Sequence, residues 1–171
     1  MDKDTKSLIR DISLLCVGAL ISLLTSLLVD YFHEKRDIKK DQLTKKLELN
    51  YDISKALGNR FYLTYDLLQL KRSKDTNRVD NEIAQYIESR QHWNQNIYTY
   101  QAMLENYYGK ETKNEFITKV YNPLANMGQY VEDRTTHTEE DTTLVPQALL
   151  IRNDIAKFIH NIYAQAENNS P

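Results

Sequence analysis

At 171 residues the chain has room for one modest domain and an anchor. A formal net charge of −2 excludes a protein that holds nucleic acid through a global basic field. A single cysteine excludes an internal disulfide and the usual cysteine-rich zinc site, and four glycines with three prolines argue against a many-turned β protein.

The first predicted element is "ISLLCVGALISLLTSLLV", residues 12–29, which carries no charge. As a helix it rises about 27 Å, close to the ~30 Å of a hydrocarbon core. Tyr31 and Phe32 follow it and suit the interfacial zone. Its exit, "VDYFHEKRD", lacks the small-residue cleavage site of a signal peptide, so the stretch reads as a retained anchor, with a buried soluble helix as the rival. Lys3, Lys6 and Arg10 precede it, whereas Lys35, Arg36, Lys39, Lys40, Lys45 and Lys46 follow; the positive-inside tendency puts the C-terminal part in the cytoplasm. On a helical wheel Asp11, Leu15, Gly18, Ser22, Ser26 and Asp30 fall close to one line, flanked by Thr25, with leucines opposite. Small residues allow close helix approach, so the stripe is either a packing seam or, in a ring of copies, a pore wall with acid rings at its mouths that favour cations.

Residues 34–57 contain no helix breaker and continue the helix, their basic run being a solvated face near lipid headgroups. Residues 59–72, with Phe61, Tyr62, Tyr65, Leu67, Leu68 and Leu70, extend or restart it after Gly58. Residues 73–81 read as a polar turn in which Asp80 or Asn81 caps the next helix. Ile83, Tyr86, Ile87, Trp93, Ile97, Tyr100, Leu104 and Tyr107 recur at helical spacing up to Tyr108, and Gly109 suits the stop. Another helix starts near Thr112, with a kink or restart at Pro123. Residues 132–143 read as a polar loop, and the last helix starts near Pro146 with Ala148, Ile151, Ile155, Phe158, Ile159 and Ile162 as its buried stripe. The expected fold is all-α: a tail and transmembrane helix over residues 1–33, a bundle of about four helices over 34–167, and a frayed tail at 168–171.

The twelve tyrosines sit mostly at core spacing and are expected to pack with hydroxyls at the rim rather than to stack bases. His137 lies near Glu139, Glu140 and Asp141, but a flexible acidic loop lacks the fixed geometry of a metal site. Arg90 and His92, two apart, fall on different helix faces. No phosphate loop, nucleophile elbow or paired-histidine motif occurs, so no cofactor, metal or small-molecule substrate is expected. In "IRNDIAKFIH", Arg152, Ala156 and His160 share one ridge of the last helix. An arginine fixes phosphate and a histidine moves protons, the minimum for cleaving RNA through its own 2′-hydroxyl. The plainer account is an arginine in a surface salt bridge and a half-buried histidine.

A helical bundle whose last helix opens on Arg152 and Asn153 and later carries His160 resembles the HEPN superfamily, in a divergent form with the histidine one position beyond the usual spacing. With the membrane helix ahead of it, the chain resembles the small membrane accessory proteins of type VI-B CRISPR systems. That resemblance implies a homo-oligomeric pore in a bacterial inner membrane that depolarises it and strengthens an RNA-guided RNase against phage. It also implies lipid, further copies of the chain, and the RNase complex or RNA as partners. Arg152, Asn153 and His160 would then serve assembly, gating or RNA contact. A membrane-tethered HEPN-type RNase and a non-catalytic membrane scaffold are the alternatives.

Overall fold

The computed structural model describes residues 3–73, 76–132 and 141–168, and among these the side chains other than those of 3–13, 16, 71–73, 76–81 and 141–143. The fold is all-α. Gly109 is the one described residue outside a helix. The elements are α1 (Lys3–Ser73), α2 (Thr76–Tyr108), α3 (Lys110–Glu115), a π-helical segment (Phe116–Tyr121), α4 (Asn122–Glu132) and α5 (Asp141–Asn168). The chain divides into two compact units, one up to Leu43 and one from Thr44 onward.

In the first unit, the apolar side chains from Leu14 to Val29 are 47–74% exposed, and no part of the most apolar window is buried. One described helix is therefore long and apolar enough to cross a membrane.

The second unit is a bundle built on period-3.6 stripes. From α1 it takes Leu49, Ile53, Leu57, Leu67 and Leu68, each no more than 2% exposed. From α5 it takes Ala148, Ile151, Ile155, Phe158 and Ile162, the stripe the sequence marks out. Trp93 of α2 sits at the centre, stacked on Tyr121 at 6.3 Å and tilted against Phe116 and Tyr100 at 6.1 Å; Phe116 in turn meets Phe158 at 5.3 Å. Full burial of such a side chain stabilises the fold by about 1.5–3 kcal/mol. A buried amide adds direction: Asn50 of α1 donates from Nδ2 to the Ile162 carbonyl of α5 at 3.1 Å, and the Tyr108 hydroxyl of α2 donates to its Oδ1 at 2.9 Å. One side chain thus registers three helices.

Several boundaries differ from expectation. The α1 helix passes through Gly58 without a break, although glycine in a helix interior costs about 1 kcal/mol relative to alanine. The α2 helix already begins at Thr76, so Asp80 and Asn81 lie inside it and neither is its cap. Gly109 does end α2, with a φ of 90° that side chains rarely adopt, and its N–H donates to the Glu105 carbonyl at 3.0 Å. The restart expected at Pro123 does fall there, α4 opening at Asn122. The turn before it widens, the Asn122 N–H reaching back to the Ile117 carbonyl, five residues away, which loosens the backbone just where the proline ring would crowd residue i−4. Pro146 lies inside α5 rather than at its start, because a proline removes only one hydrogen bond and helical residues precede it from Asp141. Ile87 and Tyr62, expected in the core, are 37% and 64% exposed, and Tyr31, Tyr51 and Tyr98 also face outward at 57–78%. The expected loop at 132–143 keeps Glu132 in α4 and Asp141 onward in α5; residues 133–140, including His137, Glu139 and Glu140, lie outside the described residues.

Candidate functional site

Along the apolar part of α1, Gly18, Ser22, Thr25, Ser26 and Asp30 are all exposed, and the side chain of Asp11 lies outside those described. A Cβ on Gly18 would meet nothing within 4 Å. The Thr25 hydroxyl donates to the Ile21 carbonyl of its own helix at 2.8 Å. Its polar demand is met locally, so its methyl is free to face lipid or another helix.

On α5, Arg152, Asn153, Ala156 and His160 are exposed as well, held outward because Ile151, Ile155, Phe158 and Ile162 occupy the inner face. His160 is thus not half-buried. His160 stands eight positions after Arg152, about 12 Å of rise, so the ridge alone does not bring both groups to one phosphate. Leu149 and Leu150 beside them are 41% and 63% exposed. Arg90 and His92 part company as expected. Arg90 forms an ion pair with Glu132, and His92 lines an open groove.

That groove runs between α1 and α2, with a volume of about 1240 Å³. Ala56, Leu63, Trp93, Tyr100, Met103 and Tyr107 contribute apolar surface, and Lys45, Lys55, Glu48, Asp52 and Glu88 its charged rim. Two cations against three acids make a poor track for a phosphate backbone.

The feature that sequence reasoning missed is a polar cluster joining α1, α2 and α4, with Arg60 and Tyr86 buried and Arg90 and Glu132 at its outer edge. Arg60 is 5% exposed, and its Nε and Nη1 have no hydrogen-bond partner. Its guanidinium lies 5.7 Å from the centre of the Tyr86 ring, a cation–π contact that compensates part of its desolvation. The Tyr86 hydroxyl donates to Glu132 Oε1 at 2.7 Å, and Arg90 takes the other carboxylate oxygen. Gly128 of α4 closes the cluster: a Cβ there would fall 2.5 Å from the Tyr86 hydroxyl and 3.3 Å from Arg60 Nη2. Burial lowers the Arg60 pKa, opposed by Tyr86 and Glu132. Burial, then the hydrogen bond to Glu132, pushes the Tyr86 phenol up to about 12. With two guanidiniums and one carboxylate, the cluster carries one positive charge more than it balances. A signal did exist in the sequence: Ile53, Leu57, Arg60, Thr64 and Leu67 step by four, three, four and three, which puts Arg60 on the core stripe.

Among the described residues no group of histidine, cysteine and acidic side chains is placed to hold a metal ion. No protein-family model matches the chain, and no curated protein or solved structure shows significant similarity to it.

Proposed function

We propose that the protein is an oligomeric single-pass membrane effector whose α1 helices assemble into a depolarising conduit. In this reading Asp11, Gly18, Ser22, Thr25, Ser26 and Asp30 turn inward, while the helical bundle couples the conduit to an RNA-guided RNase or its RNA in antiviral defence. One observation carries the reading: the apolar segment of α1 is exposed on all sides and includes a line of small and hydroxyl-bearing residues ending at Asp30. Leucines 57–74% exposed call for lipid, whereas serines and an aspartate on the same helix favour a bundle interior or water. Self-association satisfies both. The basic residues after the span favour a cytoplasmic bundle at a bacterial inner membrane. The defence context rests on the likeness of Arg152, Asn153 and His160 to the HEPN pattern.

Ion flux from liposomes containing the purified chain is the direct test. Flux that rises with protein per vesicle and loses cation preference in Asp30→Asn supports the proposal; tight vesicles at every ratio sink it. A membrane-tethered RNase is the second reading, favoured by the exposure of Arg152, Asn153 and His160. It requires RNA cleavage that disappears in Arg152→Ala and in His160→Ala while membrane insertion is kept.

A further inference from the structure

We propose that α1 carries two charged faces of opposite sign just past its apolar segment, and that the basic face of each copy packs against the acidic face of the next. The inference rests on the oligomeric membrane reading and names the contact that closes the ring.

Residues 34–41 are helical and exposed throughout. At ~100° per residue, Glu34, Asp37 and Asp41 fall within an arc of about 60°. Lys35, Arg36, Lys39 and Lys40 fall on the other side, centred about 160° away by the same rotation. For a solitary helix this is an unfavourable arrangement. Side chains three and four apart are neighbours, and like charges there are destabilising. Here Glu34 neighbours Asp37, Asp37 neighbours Asp41, Lys35 neighbours Lys39, and Arg36 neighbours both Lys39 and Lys40. Within the segment only Asp37 and Lys40 join opposite signs at that spacing. Lys35 stands over the Tyr31 ring at 5.9 Å and Arg36 beside His33 Nδ1 at 3.3 Å, contacts that bring no carboxylate to either cation. A partner of opposite charge on each face offsets the repulsion.

Charge and level together select the occupant. A nucleic acid or an anionic bilayer suits the basic face and is repelled by the acidic one. A second copy supplies both faces. Copies held by the same span in one bilayer stand parallel and level. Lys35 and Arg36 of one copy then lie between the heights of Glu34 and Asp37 of the next, and Lys39 and Lys40 between those of Asp37 and Asp41. Each contact joins two different faces, so it repeats from copy to copy around a ring. The shorter arc between the two contacts faces the inside of that ring. Carrying the same ~100° rotation back along the helix puts Gly18, Ser22 and Ser26 near the middle of the shorter arc, and Leu20, Leu24 and Leu27 on the outer one. The charged faces and the small-residue stripe therefore assign the same inner side, each without the other.

The test uses the purified full chain in detergent. Reversing the basic face (Lys35→Glu, Arg36→Glu, Lys39→Glu and Lys40→Glu together) or the acidic face (Glu34→Lys, Asp37→Lys and Asp41→Lys together) makes the two faces alike in sign. Each variant alone should fall from the wild-type oligomer to the mass of one 20.1 kDa chain. Its thermal midpoint should be kept, because all seven side chains are exposed. An equal mixture of the two variants should recover the wild-type mass, and so should a single chain carrying all seven changes. An oligomer that persists in either variant alone overturns the inference and leaves the oligomeric reading standing; persistence in the acidic-face variant only assigns the basic face to anionic headgroups instead. A mixture and a seven-fold variant that both stay monomeric overturn it as well. A wild-type chain that is monomeric in detergent and in vesicles overturns the two together.

Discussion

Gly128→Ala isolates the buried cluster with a single methyl group. On the unperturbed backbone the new Cβ stands 2.5 Å from the Tyr86 hydroxyl, where ordinary contact begins at 3.4 Å. The hydroxyl must therefore retreat by about 0.9 Å, the difference of those two distances. It is held at 2.7 Å by Glu132, and a retreat of that size stretches the bond beyond hydrogen-bonding range. Losing a hydrogen bond to a charged group costs about 1.5–3 kcal/mol. Replacing a helical glycine by alanine returns about 1 kcal/mol. The net expectation is a loss of roughly 0.5–2 kcal/mol, or about 1–8 °C in Tm for a chain of this size. In a Tyr86→Phe background the clash disappears. The nearest atoms become Arg60 Nη2 at 3.3 Å and the ring carbon at 3.7 Å, and the same alanine should be neutral or stabilising. Thermal and urea unfolding of the four proteins of this double-mutant cycle in one detergent gives the coupling, expected near 2 kcal/mol. A Gly128→Ala protein as stable as wild type, or an equal loss in both backgrounds, refutes the reasoning.

The remaining predictions address single groups. Asn50→Ala strips the Tyr108 hydroxyl of its acceptor and opens a void between three helices; urea unfolding should show a loss of about 2–4 kcal/mol. Arg60→Met replaces a desolvated, partly unpartnered guanidinium with an apolar chain of similar reach and should leave stability unchanged or raise it by about 1–3 kcal/mol, a result a thermal melt reads directly. The Tyr86 phenol keeps its proton up to about pH 12 in the folded protein but loses it near pH 10 when unfolded. Its contribution is therefore complete below pH 10 and falls as pH rises toward 12, by at most about 2–3 kcal/mol, and Tyr86→Phe should flatten that part of the stability–pH curve. Arg152→Ala and His160→Ala remove exposed side chains and should shift unfolding free energy by less than about 0.5 kcal/mol, so any lost activity in these variants reports function rather than folding.

The helical class was legible because it rests on spacing. Ala148 through Ile162 on α5 and Tyr86 through Leu104 on α2 recur at helical spacing, and those positions are buried except for the exposed Ile87 and the partly buried Ile159. Gly109 was legible because a positive φ has few other occupants. Pro123 was legible as the point where one helical segment gives way to the next, though not the widened turn that takes it in, whereas Pro146 misled, since α5 absorbs it by losing one bond. Aromatics misled where hydrophobicity outvoted angle: Tyr62 sits away from the stripe of Ile53, Leu57 and Leu67, whereas Arg60, which a charge keeps from notice, sits on it. The ridge of Arg152, Ala156 and His160 does run beside the buried stripe of α5, but His160, read as half-buried, is exposed.

The widened turn at Phe116–Tyr121 has a consequence for length changes in this stretch of the chain. Thr112, Phe116, Val120 and Leu124 are buried in strict steps of four, a slower pitch than 3.6, and the difference sets the rotation of all that follows. Deleting one residue there would yield a straighter, more regular rod. It would also turn the downstream segment by roughly 100°, swinging Leu124, Met127 and Val131 toward solvent and Gly128 away from Tyr86. Conventional helical geometry would here be the damaging outcome, and the irregular turn is what keeps the following segment in phase.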